Sequence, residues 1–210
     1  MQLQLRKSDL KAALICSAVK DIRYYLNGVL VEYTPRESGG ILTFCGTDGH
    51  ILFAGTAPAE FMDGEHGTAF SLIIPSDTVK AACKGKAPIL TLSSLPDGRY
   101  SLGDALFTAI DGRFPDFRRV IPAKVSGEFA HFDFDLLARG NDALCEYFNM
   151  PKKTFSLHSG GNGAGVMCGN SRDAVVVVMP MREPNGGMGE YTGTDIPPAQ
   201  DNVTQLREAA

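Results

Sequence analysis

Tryptophan is absent from this chain of 210 residues, and histidine is scarce at four. His50, His66, His131 and His158 are scattered, with no metal-ligand spacing. The five cysteines, Cys16, Cys45, Cys83, Cys145 and Cys168, are odd in number and never form C-x-x-C. That pattern argues against a disulfide framework or a zinc site and fits core thiols. No apolar run approaches the roughly 18 residues of a membrane span. The start, MQLQLRKSD, has no signal-peptide core. These absences predict a soluble, cytoplasmic protein. Positive charge is also short: Lys and Arg total 20 against 24 Asp and Glu, for a net charge of −4. Nothing global draws such a chain to nucleic acid, so any contact with DNA must rest on a local cluster.

What remains is a globular composition, 44% apolar and 21% charged, with length for one or two domains. No catalytic constellation stands out. Asp48-Gly49-His50 lacks a neighbouring nucleophile or metal and reads as a turn. SGGNGAG lacks the G-K-[ST] of a phosphate loop and reads as a strand connection. The expectation is a protein that is not an enzyme and needs no cofactor or metal.

A strand, a short helix and three strands recur three times. In the first copy Leu3 and Leu5 alternate with glutamines, and Ser8-Asp9 offers an N-cap to LKAALICSAVK. RYYLNGVLVEY, GGILTFCGTDG and HILFAGTA follow as strands. The second copy reads FSLIIP, then a helix from Ser76-Asp77 over SDTVKAACKGK, then APILTLSSL, RYSLGD and ALFTAI. The third reads EFAHFDFD, a helix LLARGNDALCEYFN that Gly140 weakens, and strands KKTFSLHS, GAGVMCGN and DAVVVVMPM. The copies share almost no identity, so the repeat is one of pattern. From about residue 184 the chain turns to Gly, Pro and polar residues and reads as a flexible tail.

AVVVVMPMREP, residues 174–184, poses a question. Four valines make a good buried strand, yet proline follows where a ladder needs an N–H donor. Methionines around a rigid proline suit an adaptable apolar lip.

The stretches DIRYYLNGVLVE, TFCGTDGHILFAG, AIDGRFPDFRRVIP and VVVVMPMR, in that order, resemble the bacterial beta sliding clamp family, the processivity subunit of DNA polymerase III. The combination is specific where no single motif is. The resemblance implies an α+β DNA-clamp fold of repeated strand-helix-three-strand units. Residues 1–123 resemble a complete middle domain of that family, and 124–183 the second half of its last domain. The chain thus holds about three units, or one and a half clamp domains. In the family, helices line a DNA-filled hole, and a pocket between these two domains takes linear peptides of polymerases and clamp loaders. By resemblance the pocket comprises Leu26, Thr47, Gly49, His50 and Leu52, then Pro115, Arg119 and Val120, then Val177, Met179, Pro180, Met181 and Arg182. The chain departs from the pattern at Ile51, where the family usually has a basic residue, which predicts an apolar wall there. It departs again at Glu183, beyond which the family chain ends. In the tail, Gln205-Leu206 matches the Gln-Leu start of clamp-binding peptides, a very short match.

Arg6, Lys7, Lys11, Lys20, Lys80, Lys84, Lys86, Arg139, Lys152 and Lys153 fall on or beside the three helices. They read either as an inner wall facing DNA phosphates without base readout or as an ordinary solvated face; the resemblance favours the wall. Arg113 and Arg118 are phosphate ligands or, as surface arginines more often are, partners of local acids. The resulting expectation is an oligomer encircling duplex DNA and tethering a polymerase. Family rings hold about twelve units, so four copies would close one. The alternative is a non-encircling, clamp-like peptide-binding module that competes with or modulates a full-length clamp.

Overall fold

Period-two alternation in the apolar runs becomes two sheets in the computed structural model, which describes residues 1–37, 39–62, 68–151, 155–169 and 171–182. The first unit is β1 (Gln2–Arg6), α1 (Lys7–Cys16), β2 (Gly28–Arg36), β3 (Gly39–Thr47) and β4 (Ile51–Pro58), with a short β5 (Glu60–Phe61) after it. The second is β6 (Phe70–Pro75), α2 (Ser76–Ala82), β7 (Ile89–Ser94), β8 (Tyr100–Leu102) and β9 (Ala105–Phe107). The third is α3 (Phe134–Phe148), β10 (Ser156–Gly160), β11 (Gly163–Cys168) and β12 (Ala174–Val178).

One sheet has the order β5-β1-β7-β8-β9, the other β10-β11-β12-β4-β3-β2-β6. The strands that precede helices therefore change partners. β1 joins β7 of the second unit, and β6 joins β2 of the first. The third unit extends the larger sheet through an antiparallel β12·β4 pair, Val177 opposite Leu52 and Val178 opposite Ile51.

Three sequence expectations need correction. The strand expected at EFAHFDFD is not formed; residues 128–133 are irregular and α3 starts at Phe134. In the other two units that strand finds its ladder on another unit, and here no such partner exists among the described residues. The expected Ser8-Asp9 and Ser76-Asp77 caps also fail, because both helices start earlier, at caps Arg6 and Pro75 that make no side-chain bond. Asp9 instead lies buried in the first turn, 2.9 Å from Arg6. Of the described helices α3 alone has a side-chain cap, Asp133 accepting from the Asp135 amide at 2.8 Å. The long strand expected from Arg23 is a single 3-10 turn, Tyr24–Leu26, followed by β2.

Around β12 the larger sheet is buried on both faces, which is what four successive valines require. Val176 and Val178 pack with Phe44, Phe53 and Val31 in the core beneath the helices. Val177 packs with Leu30, Cys45, Leu52 and Ile73 on the other face, under Phe114 and Phe117 of the connector. Cys16 is fully buried, and burial pushes its thiol up to about 12, the behaviour of a core residue.

Helix α3 buries Gly140, Ala143, Leu144 and Tyr147, one face at helical spacing. Gly140 weakens the helix in isolation but admits the sheet: a Cβ there would lie 2.9 Å from both the Met167 sulfur and Val176 Cγ1. Gly140→Ala should gain about 1 kcal/mol of helix propensity and lose about 2 kcal/mol to overpacking. The expected net result is destabilisation by about 1 kcal/mol, read from urea unfolding midpoints.

Candidate functional site

The larger sheet's outer face, the Asp48–His50 turn and the connector enclose a cleft of about 220 Å³. Ligand pockets usually hold about 300–1,000 Å³, so this one suits an apolar side-chain anchor or two. Its floor is buried: Leu26, Leu52, Phe117 and Val177 are each 5% exposed or less. Its rim is accessible, with Val120 47% and Met179 44% exposed.

Local chemistry builds each wall. Asp48 Oδ1 accepts the His50 and Ile51 amides at 2.8 and 3.0 Å, folding the β3–β4 loop into an Asx turn. Thr47 is buried, its hydroxyl donating to the Ile51 carbonyl at 2.7 Å and accepting from the Gly49 amide. Gly49 has φ +95°, a region that L side chains avoid, and a Cβ there would meet Arg23 at 3.0 Å. The connector is pinned by Ile110 donating to the Ile73 carbonyl, and its 3-10 turn Phe117–Val120 is held by Pro115.

Geometry explains the proline that follows the valine run. Met179 still donates to the His50 carbonyl at 2.9 Å, and Met181 donates to His131 at 2.7 Å. Pro180 falls between two used donors, so the chain leaves the sheet without wasting an N–H.

One ion pair ties the third unit to the turn. Arg139 of α3 reaches Asp48 Oδ2 at 2.7 Å and also donates to the Ile15 carbonyl. Burial works to raise the Asp48 pKa, but the Ile51 and His50 amides and Arg139 outweigh it, and the net shift is downward. A lowered folded-state pKa adds stability that is present above the unfolded carboxylate range and is lost as pH falls from there through the folded-state pKa. Asp48→Asn should cost about 2 kcal/mol at neutral pH. Thermal melts across pH should show that difference shrinking below about pH 4.

Of the pocket residues expected from sequence, Leu26, Thr47, Gly49, His50, Leu52, Pro115, Val120, Val177 and Met179 come together. Arg119 instead pairs with Asp116 at 2.8 Å on the surface, and Pro180, Met181 and Arg182 lie outside the lining. Arg23, Asp116 and Phe117 also line the cleft and were missed. The signal for Phe117 was its three-residue spacing from Phe114. Ile51, expected as an apolar wall, does line the cleft, although it is 1% exposed and also packs in the helix-side core.

The cations are placed as follows. Arg6 pairs with Asp9, Lys11 with Glu146 at 2.7 Å and Lys80 with Asp77 at 3.3 Å, while Lys7 donates to the Gly85 carbonyl. Lys20, Lys84 and Lys86 are exposed; Lys152 and Lys153, like the tail from 184, lie outside the described residues. Arg118 pairs with Glu32 at 2.7 Å, one of the local acids expected for it. Among the described residues no group of three or more His, Cys, Asp or Glu could hold a metal ion, and no helix is long and apolar enough to cross a membrane.

Repeated strand-helix-strands units with partner-changing first strands, joined edge to edge with a cleft at the junction, define the DNA-clamp class, and comparison with solved structures agrees. The fold matches DNA polymerase III beta subunits from Pseudomonas aeruginosa (TM-score 0.67, 18% identity, 87% of this chain and 66% of the other) and Thermotoga maritima (TM-score 0.68, 13% identity, 88% and 66%). In sequence the chain is related to the bacterial beta sliding clamps. It is 37% identical over 111 residues to that of Salmonella typhimurium, covering 50% of this chain and 28% of the relative. It is 34% identical over 134 residues to that of Caulobacter vibrioides, covering 60% and 35%. The chain thus spans about a third of the length of these curated relatives. No family model matches it.

Proposed function

We propose that this chain is a sliding-clamp-like replication factor whose cleft binds short linear peptides of a polymerase or clamp loader. The observation that carries the proposal is the cleft itself: a buried apolar floor under an accessible Met179 and Val120 rim, built where the third unit joins the first. Such a site gains affinity from a few apolar anchors rather than from area. It catalyses nothing; tethering raises the effective concentration of a polymerase at its template.

Residues 1–123 act as a complete clamp domain and 124–183 as half of another. Four copies close a ring around duplex DNA, with the helix-side cations facing phosphates across water. Fluorescence anisotropy with a labelled Gln-Leu-type peptide carrying apolar anchors tests the cleft: saturable binding is expected, and no binding at millimolar peptide sinks the reading. The second reading is a non-encircling peptide-binding module. The third unit favours it, because its β10 edge is unmatched by a second half among the described residues.

A further inference from the structure

We propose that the third unit is half of a strand-exchanged domain, completed by the third unit of a second copy of this chain. The inference rests on the clamp-unit reading of the chain and deepens its oligomeric part, but needs neither the peptide cleft nor a closed ring.

The template lies within the molecule. Where two units are complete, each sends its pre-helix strand to the other: β1 pairs with β7, Leu3 opposite Leu92, and β6 pairs with β2, Val31 opposite Leu72. The first strand after each helix therefore has neighbours on both edges, β2 between β3 and β6, β7 between β8 and β1. β10 is the third unit's counterpart. It has β11 on one edge and no strand on the other among the described residues.

The same unit carries a spare strand to give. Residues 128–133, FAHFD preceded by Glu128, alternate like a strand but form none. Their start bonds the end of β10 within the same chain, Gly127 donating to the Ser159 carbonyl and Gly161 to the Glu128 carbonyl. Met181 donates to the His131 carbonyl, and Phe132 packs on the core. The Ser156–His158 stretch of the β10 edge has no strand beside it among the described residues. Apolar side chains on both parts face water, Phe129 at 66% and Leu157 at 40% exposure, as does Phe134 at the start of α3 at 84%.

Reciprocal exchange demands a partner that has both an open β10-type edge and an unused pre-helix strand. This chain offers both on one unit, so a twofold axis relating two copies satisfies both at once. β10, SLHSG, has neither Lys nor Pro, the usual guards of an edge strand.

The test is light-scattering mass of the full chain over a wide concentration range, with Phe129→Glu, Leu157→Lys and an equimolar mixture of the two. Both side chains are exposed, so circular dichroism should be unchanged. The expected result is an oligomer whose mass each substitution halves. In the mixture one junction carries both charges and the other is wild type, so the mass should rise above that of either variant alone. A wild-type monomer at every concentration, masses unmoved by either substitution, a mixture that stays at half mass, or pairing only with a full-length beta clamp would each overturn the proposal. Retention on closed-circular DNA is read in parallel. An oligomer that passes these tests yet slips from circles leaves the interface standing and removes the ring.

Discussion

Placing lysine at both rim positions of the cleft, Met179→Lys with Val120→Lys, is expected to weaken peptide binding at least a hundredfold while leaving the melting temperature within a degree or two. Both side chains are about half exposed, so the fold does not depend on them. A peptide anchor entering over them must desolvate two ammonium groups with no acceptor in the floor of Leu26, Leu52, Phe117 and Val177. A hundredfold loss corresponds to about 2.7 kcal/mol, the size expected when hot-spot contacts go. Anisotropy titration reads it. A loss below threefold at unchanged fold would mean that the peptide sits elsewhere.

Gly46→Ala should all but prevent folding. β3 crosses α1 so closely that a Cβ on Gly46 would lie 1.9 Å from the Ala13 carbonyl oxygen and 2.7 Å from Ser17 Oγ. Backbone cannot rotate aside as a side-chain tip can. Ser17 is itself fixed, its hydroxyl 3.0 and 3.2 Å from the Ala13 and Gly28 carbonyls. α1 would have to leave a core of fully buried Leu10, Ala12, Ala13 and Cys16. The expected cost is about 4 kcal/mol or more, most of a typical domain's stability. Soluble yield and a urea melt check it; a midpoint unchanged from wild type would show that the helix can move.

The sequence was most legible where side-chain periodicity and burial agree. The valine run, the sheet strands and the apolar cleft floor all follow from alternation on a sheet covered twice. The resemblance located nine cleft residues because turn chemistry at Thr47-Asp48-Gly49 is local. What was illegible depended on distant partners. Ser8-Asp9 looks like a cap, but Arg6 draws Asp9 into a buried pair and shifts the helix start. EFAHFDFD alternates like a strand, yet a strand needs a ladder, and it forms none among the described residues. Gly140 looks like a helix fault until Val176 and Met167 are seen against it. Arg119 looks like pocket lining, but it turns back to pair with Asp116, and it is Asp116 that lines the cleft.

The most direct test of the clamp reading is retention on DNA of defined topology. The purified protein, loaded on nicked circular duplex with a clamp loader present, is passed through a sizing column before and after the circle is linearised. A topological ring predicts co-elution with the circle and loss of the protein from free ends after cutting. Equal behaviour on circle and line, with the peptide cleft still binding, would contradict encirclement and leave the non-encircling module.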